Sequence, residues 1–234
     1  MNTKTAITIL AALLLASSPA HAQRIRGFIS SGATLSQIEG DELKGFRKLG
    51  YTGGVGAIVA LDRHEDWRIS VEALFSQRGT YNASSEPYAA VIPLNYVDIP
   101  LMLHYRDPWG GMLVGLGATY GRLTEQPRGI IEYQSSFFPD TNDLKFLRND
   151  LAIVADIRFT VWRGLMLNIR WQYSLLAIKR DWNFYQRDGE TILYDDDGIP
   201  IFDENGKPQI VPRYDIWANN CYSNSLSFRL IWQF

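Results

Sequence analysis

The sequence predicts an all-β protein, an eight-stranded antiparallel up-and-down transmembrane β-barrel with short periplasmic turns and long extracellular loops. Three observations support this prediction. Apolar and polar side chains alternate with a period of two, short and long connections alternate along the chain, and aromatic residues collect near the ends of the alternating segments. Strands that face lipid on one side and an enclosed interior on the other produce these features together.

Alternation is clear in the segment 67–78. One face is apolar and consists of Trp67, Ile69, Val71, Ala73 and Phe75. The other is polar and consists of Arg68, Ser70, Glu72, Ser76 and Arg78. This period belongs to a strand and not to a helix. Eight such segments can be drawn, at 24–38, 51–61, 67–78, 94–106, 111–123, 147–161, 165–177 and 220–234. In the first, we expect Ile25, Ile29, Ala33 and Leu35 to face outward.

The connections alternate between short and long. "DRHED", "DPWG" and "WRG" are tight turns, whereas the ranges 39–50, 79–93, 124–146 and 178–219 are longer. A closed meander whose ends face two compartments sorts its connections in this way, and a soluble β-sandwich has no reason to do so. Both chain ends then lie on the side of the short turns.

Aromatic residues form two predicted belts. One belt lies toward the short turns and consists of Trp67, Tyr105, Phe159, Trp232 and Phe234, with Trp109 and Trp162. The other lies toward the long loops and consists of Phe75, Tyr120, Tyr173 and Tyr222. The two interfaces of a bilayer favour such belts. A general preference of aromatic residues for strands would explain their number but not their placement at strand ends.

The first 22 residues have the features of an export signal. Lys4 precedes the apolar run "AITILAALLLA", and "SSPAHA" ends in a small-x-small cleavage site after Ala22. We therefore expect a signal peptide at 1–22 and a single barrel domain at 23–234, with an N-terminal membrane anchor as the alternative for the apolar run. Formal net charge is −2, without a basic stripe, so no nucleic-acid partner is expected.

The inward faces predict a lumen plugged by charge pairs rather than an open pore. The expected network consists of Arg68, Glu72, Asp98, Asp156, Arg158, Arg170 and Arg229. Two other predicted strands place glycines on the inward face, which would give the arginines room: Gly54, Gly56, Gly115, Gly117 and Gly121. Buried charges need partners, so these groups should pair across the lumen. Pro100 lies within a predicted strand and removes a ladder hydrogen bond, which predicts a bulge or a break there.

Several segments resemble the PorT-like outer-membrane β-barrel family. They are "GATLSQIEGDELKGFRKLGYTGGVGA", "FSQRG", "LNYVDIPLMLHY", "NIRWQYSLLAI" and "NSLSFRLIWQF", which together span nearly all of the chain after the signal. The resemblance implies an eight-stranded barrel in the bacterial outer membrane and makes Pro100 an expected residue. It does not imply one activity, because founding members assist a secretion system and most relatives have no assigned role.

No catalytic site, cofactor site or metal site is predicted. Surface hydrolysis would need His, Asp and Ser near the outer rim, where no histidine is expected, and Asp98 and His104 are too far apart along one strand to touch. Cys221 is the single cysteine and is expected to be a small buried filler. "DDDGIP" and "DENGKP" predict turns flanked by strand extensions, and whether their aspartates bind calcium is left open.

The segment 220–234 should close the barrel against the first strand. Phe228, Leu230, Trp232 and Phe234 fit the terminal pattern that the barrel-assembly machinery is expected to read. The expected partners are outer-membrane lipids, that machinery during insertion and an unknown partner at the extracellular loops, with the barrel itself a monomer. The alternatives to a structural or binding role are an accessory role in secretion or transport, a lipid-modifying enzyme and a lipocalin-like ligand carrier.

Overall fold

The structure is a computed structural model that describes residues 25–84, 87–132, 136–142, 144–195 and 198–234. The predicted signal peptide at 1–22 lies outside the described residues. The strands are β1 (Ile25–Glu39), β2 (Lys48–Ala60), β3 (Trp67–Asn82), β4 (Ala89–Arg106), β5 (Leu113–Leu123), β6 (Ile130–Glu132), β7 (Phe137–Pro139), β8 (Asn149–Trp162), β9 (Leu165–Ser174), β10 (Lys179–Ile192) and β11 (Ile210–Gln233). In the described ranges, no helix is long and apolar enough to cross a membrane.

Eight of these strands form a closed antiparallel ring. Their order is β1, β2, β3, β4, β5, β8, β9 and β11, and β11 pairs back with β1 from Phe28↔Gln233 to Glu39↔Tyr222. The predicted eight-stranded barrel is therefore confirmed, and each predicted segment corresponds to one strand of the ring. Closure leaves the ring without a free edge, so its backbone groups are paired within the barrel.

The two faces of the wall have the predicted chemistry. On β3, Trp67, Val71 and Phe75 are exposed, whereas Arg68 and Glu72 are buried inside. On β1, Ile25 and Ile29 face outward as expected. On β11, the side chains of the predicted assembly pattern are all exposed: Phe228, Leu230, Trp232 and Phe234. Their part in assembly stays a prediction.

Pro100 neither breaks β4 nor causes a bulge, so that prediction was wrong. β4 runs without a register shift, and Pro100 pairs with Thr119 of β5. On the other side, the ladder between β3 and β4 runs from Val71↔Leu101 directly to Leu74↔Asp98. The missing N–H thus interrupts one ladder locally, while the extended backbone of proline continues the strand.

The long-loop side contains more strand than the sequence predicted. β3 and β4 project to Asn82 and Ala89, so only residues 83–88 join them. The long fourth connection consists largely of β10 and the upper part of β11, which form one hairpin above the ring. β6 pairs with β4 and β7 pairs with β10, both from within the third long connection. These strands extend beyond the membrane and remain paired, because neighbouring strands still form hydrogen bonds with their backbone groups.

Candidate functional site

Register places charged side chains in rows across the lumen, and glycines of β5 open gaps in those rows. Gly115 pairs with His104 of β4 on one side and with Asp156 of β8 on the other. A Cβ atom on Gly115 would lie only 2.6 Å from Asp156 Oδ1. Gly121 stands in the same way between Asp98 and Asp150. These two missing side chains allow groups on β4 and β8 to approach each other across β5.

Glu72 is the centre of the larger charge cluster. Its oxygens accept hydrogen bonds from Arg158 (2.9 Å), Arg170 (2.6 and 3.2 Å) and Arg229 (2.9 Å). Asp156 accepts from the same Arg170 at 2.8 Å and Arg158 at 3.3 Å, so two arginines bridge the two carboxylates. Arg229 Nε also donates a hydrogen bond to the Asn168 amide oxygen at 2.8 Å. The cluster ties β3, β8, β9 and β11 together.

A second cluster lies nearer the long loops. Arg78 donates to Asp98 at 2.7 Å and to Asp150 at 3.1 Å, and its guanidinium stacks over the Tyr96 ring at 4.2 Å. Arg78 is completely buried. The two clusters together contain four guanidinium groups and four carboxylates, so their charges balance. Such mutual pairing offsets the cost of removing each charge from water.

The structure brings together five of the seven predicted network residues: Glu72, Asp156, Arg158, Arg170 and Arg229. Asp98 belongs instead to the cluster of Arg78 and Asp150, two residues absent from the predicted network. Arg68 is separate, because it lies at the short-turn end and pairs with Glu65 at 3.4 Å. Alternation alone put Arg78 on the inward face, and this signal could have added it to the network.

Ser70, His104 and Asp156 stand in the order of a catalytic triad, which the sequence did not predict. Ser70 Oγ lies 2.9 Å from His104 Nε2, and His104 Nδ1 lies 3.4 Å from Asp156 Oδ1. The three residues are only 1%, 0% and 2% exposed. A nucleophile must meet its substrate, and the Asp156 charge is already shared with Arg158 and Arg170. The arrangement is therefore a buried polar chain, not an accessible active site.

Apolar layers close the lumen on both sides of the charges. Near the short turns lies the floor cluster, formed by Phe28, Ile58, Leu113, Met166 and Ile231. Near the long loops lies the mouth cluster, formed by Ile38, Tyr88, Ala90, Ile92, Leu94, Tyr96, Leu123, Phe146, Ile178, Trp182, Phe184 and Cys221. The buried position expected for Cys221 is confirmed. An eight-stranded barrel is narrow enough for side chains to fill in this way.

Loop residue Asp41 is buried beside the mouth cluster. Its Oδ1 accepts the N–H of Leu43 at 2.9 Å, and its backbone carbonyl accepts a short hydrogen bond from the Tyr88 hydroxyl. Burial raises the pKa of the Asp41 carboxyl to about 7, although the Leu43 N–H and the Thr80 hydroxyl act in the opposite direction. The loop between β1 and β2 is thus anchored by a group that titrates near neutral pH.

The hairpin of β10 and β11 rises above the ring and carries an outward aromatic face, which we define as Phe138, Tyr185, Tyr214 and Ile216. Phe138 stacks on Tyr185 at 5.4 Å and meets Tyr214 edge-on at 5.7 Å. Tyr185 pairs in register with Ile216, which is 63% exposed. The opposite face of the hairpin points into the mouth cluster through Trp182 and Phe184. The hairpin is therefore fixed on one face and open on the other.

At the tip of the hairpin, Gly198 of "DDDGIP" and Gly206 of "DENGKP" make matching backbone hydrogen bonds. Gly198 and Gly206 have positive φ values of 79° and 74°, and their N–H groups donate to the carbonyls of Asp195 and Asp203. Asp195 Oδ1 accepts from Ile199 N–H, and Asp203 Oδ1 accepts from Lys207 N–H, both at 2.8 Å. The predicted turns and strand extensions are confirmed. Within the described residues, no group of three or more His, Cys, Asp or Glu side chains could hold a metal ion.

Fold and lumen together define the class of this protein as a closed membrane barrel with a filled interior. The chain belongs to the family described as the outer membrane protein beta-barrel domain, which matches residues 8–199. Membership in this family supports a location in the outer membrane, where we expect the short turns on the periplasmic side and the long connections on the extracellular side. No curated protein matches the chain.

Three solved structures are distantly similar to this chain. Ail, the attachment invasion locus protein of Yersinia pestis, is 12% identical with a TM-score of 0.44, covering 89% of this chain and 98% of that one. Neisserial surface protein A is 10% identical with a TM-score of 0.43, covering 89% and 97%. OprG from Pseudomonas aeruginosa is 13% identical with a TM-score of 0.34, covering 90% and 97%. Likenesses this remote carry no role over to the chain.

Proposed function

We propose that this protein is a closed, non-conducting outer-membrane barrel that displays the β10–β11 hairpin as a docking surface for another protein. The proposal includes export by a signal peptide at 1–22, insertion by the barrel-assembly machinery through the β11 pattern, and a monomeric barrel without enzymatic activity. The observation that carries it is the outward aromatic face on a hairpin whose other face is fixed to the barrel mouth.

Exposed apolar side chains on this hairpin have no lipid to cover them. Ile216 and Ile210 are 63% and 58% exposed, on the part of β11 that lies beyond its pairing with β1. In a barrel wall such exposure is ordinary because acyl chains cover it. Above the membrane, a contiguous apolar surface indicates a protein contact.

The shape of the site favours a partner in extended conformation. Among the described residues, 210–218 of β11 pair only with β10, so the opposite edge of this segment is open. Nearby charges neutralise one another through the Arg187–Glu190 and Arg213–Asp188 pairs. A neutral edge with aromatic side chains suits a partner strand with alternating apolar residues, which would add to β11 by backbone hydrogen bonds.

A photo-crosslinking amino acid at position 216 tests this proposal in cells. A matched variant carries the same amino acid at position 215, whose side chain lies on the other face of the strand. We expect a discrete adduct from position 216 whose partner peptide, made synthetically, binds the purified barrel. The Ile216→Lys variant should bind that peptide at least tenfold more weakly. Absence of an adduct, or equal binding by Ile216→Lys, would overturn the proposal.

An accessory role in a secretion system is the second candidate, and it rests on the PorT-like resemblance of "LNYVDIPLMLHY" in β4 and of the other matching segments. It agrees with a docking hairpin, since an accessory barrel must contact other components. If the crosslinked partner is a component of an export machine, the two candidates become one. A lipocalin-like carrier is disfavoured because charged residues face inward and aliphatic residues face outward.

A further inference from the structure

The periplasmic end of the lumen contains a recess that no part of the proposed function uses. Its volume is about 460 Å³, and it is open to the periplasm. The polar walls come from Arg26, Glu65, Arg68 and Arg106, and the apolar walls come from Leu113, Met166 and Phe234 among others. A volume of this size lies within the range of sites for small organic ligands.

The recess has excess positive charge. Among the side chains that line it, three guanidinium groups face one carboxylate, Glu65, which accepts from Arg26 at 2.7 and 2.8 Å and from Arg68 at 3.4 Å. Among the described residues, the Arg106 side chain has no ion-pair or hydrogen-bond partner. Arg68 is 6% exposed, so its charge is held in the wall rather than in bulk water.

Glu65 is held in an unusual backbone conformation. Its φ of 57° is in the left-handed region, which costs energy for a residue other than glycine. Its carbonyl accepts from Arg68 Nε at 3.0 Å while its carboxylate holds Arg26. The strained residue thus fixes two guanidinium groups at the rim of the recess, which is the arrangement that a preorganised anion site requires.

Two neighbouring carboxylates are engaged in turns and do not line the recess. Asp62 accepts the N–H groups of Trp67 at 2.8 Å and His64 at 3.2 Å. Asp107 accepts the N–H of Gly110 at 2.7 Å. Both therefore cap the turns in which they occur and do not line the recess.

The inner end of the recess is apolar and sealed. Leu113 and Met166 belong to the floor cluster, which separates the recess from the charge clusters of the lumen. A ligand can therefore enter but cannot pass through. An anionic head among the arginines and an apolar body against Leu113, Met166 and Phe234 would match both surfaces.

We propose that this recess binds an organic anion, a carboxylate or phosphate group on an apolar body, from the periplasmic side. Two sources share this chemistry: a lipid of the inner leaflet and a free amphiphilic acid in the periplasm. Arg106, whose side chain pairs with no other described residue, would make the ion pair that distinguishes the occupied site from the empty one.

Calorimetric titration of the barrel in nanodiscs of zwitterionic lipid, with octyl phosphate as the probe, tests the proposal. We expect saturable binding that weakens with added salt and that falls about tenfold in Arg106→Gln, because a charge-assisted hydrogen bond is lost. The matched control is Arg122→Gln, which changes an exposed arginine at the opposite end of the barrel and should leave binding unchanged. Inorganic phosphate should bind more weakly than octyl phosphate, since it lacks the apolar body.

Nanodiscs doped with phosphatidylglycerol separate the two sources. If phosphatidylglycerol weakens the binding of octyl phosphate, the ligand is a lipid headgroup. If the affinity for octyl phosphate is unchanged, the ligand is a soluble anion. Either result supports the site. Absence of saturable binding, or equal affinity of the wild type and Arg106→Gln when both are folded, would overturn the proposal. The hairpin is far from this recess, so these outcomes do not bear on the docking surface.

Discussion

Replacing Glu72 by Gln should destabilise the barrel more than any other single change of charge in the lumen. The substitution keeps the shape of the side chain but removes its charge. Glu72 accepts four hydrogen bonds from Arg158, Arg170 and Arg229. After the change, Asp156 would be the only carboxylate left in that cluster to face three buried guanidinium groups.

The size of the effect follows from burial. Removing one partner from a buried ion pair costs about 3–5 kcal/mol, because the remaining charge is left uncompensated in a poorly solvated site. The same substitution at Glu190 supplies a matched control. Its pair with Arg187 has side chains 46% and 56% exposed, and exposed pairs contribute about 0.2–1 kcal/mol.

Urea unfolding in neutral lipid vesicles, followed by tryptophan fluorescence, measures both variants. We expect Glu72→Gln to lower the free energy of unfolding by several kcal/mol and Glu190→Gln to change it by less than one. Equal stability of Glu72→Gln and the wild type would refute the reasoning, because it would mean that water or counter-ions, rather than Glu72, compensate the arginines.

Three further results are expected. Gly115→Ala should lower the free energy of unfolding by about 1–3 kcal/mol in the same assay, because the added methyl group meets Asp156 Oδ1. An unchanged free energy of unfolding would mean that the space left by Gly115 in β5 is not needed. Asp41 has a pKa raised from 3.8 to about 7, so the unfolded state releases this proton at a lower pH and the free energy of unfolding should fall by about 3 kcal/mol between pH 5 and pH 8. Asp41→Asn should remove this dependence, and identical pH profiles of the two proteins would contradict the prediction. Ser70 should resist fluorophosphonate labelling in the folded barrel, and covalent labelling there would show that the buried chain is reachable.

Alternation in the sequence predicts the ring well because the bilayer imposes it. Each residue of a transmembrane strand faces either lipid or lumen, so β3, β8 and β9 show their faces directly. Above the membrane this constraint ends. Trp182 and Phe184 face a mouth cluster that consists of residues from several connections, and no local period identifies such contacts. The sequence therefore missed β6 and β7, and of β10 and the upper part of β11 it predicted only the strand extensions beside the two turns.

Pairing within the lumen was less predictable than its composition. Alternation indicates that Glu72, Asp156 and Arg170 face inward, but only the register shows which rows they share. His104 reaches Asp156 because Gly115 stands between them. The three residues belong to three different strands and are far apart in the sequence. The sequence predicted Arg68 as part of the network because it faces inward. Its position along the barrel axis, however, places it at the periplasmic rim with Glu65.

Topology is the central claim of this account, because both the docking hairpin and the periplasmic recess depend on it. Cysteines introduced at Glu204 in the hairpin tip and at His64 in the turn between β2 and β3 test it directly. Cys221, the single native cysteine, is buried and provides the background control. A maleimide on a polyethylene glycol chain too large for general porins should label position 204 on intact cells and position 64 only after lysis. Labelling of position 64 on intact cells would contradict the account.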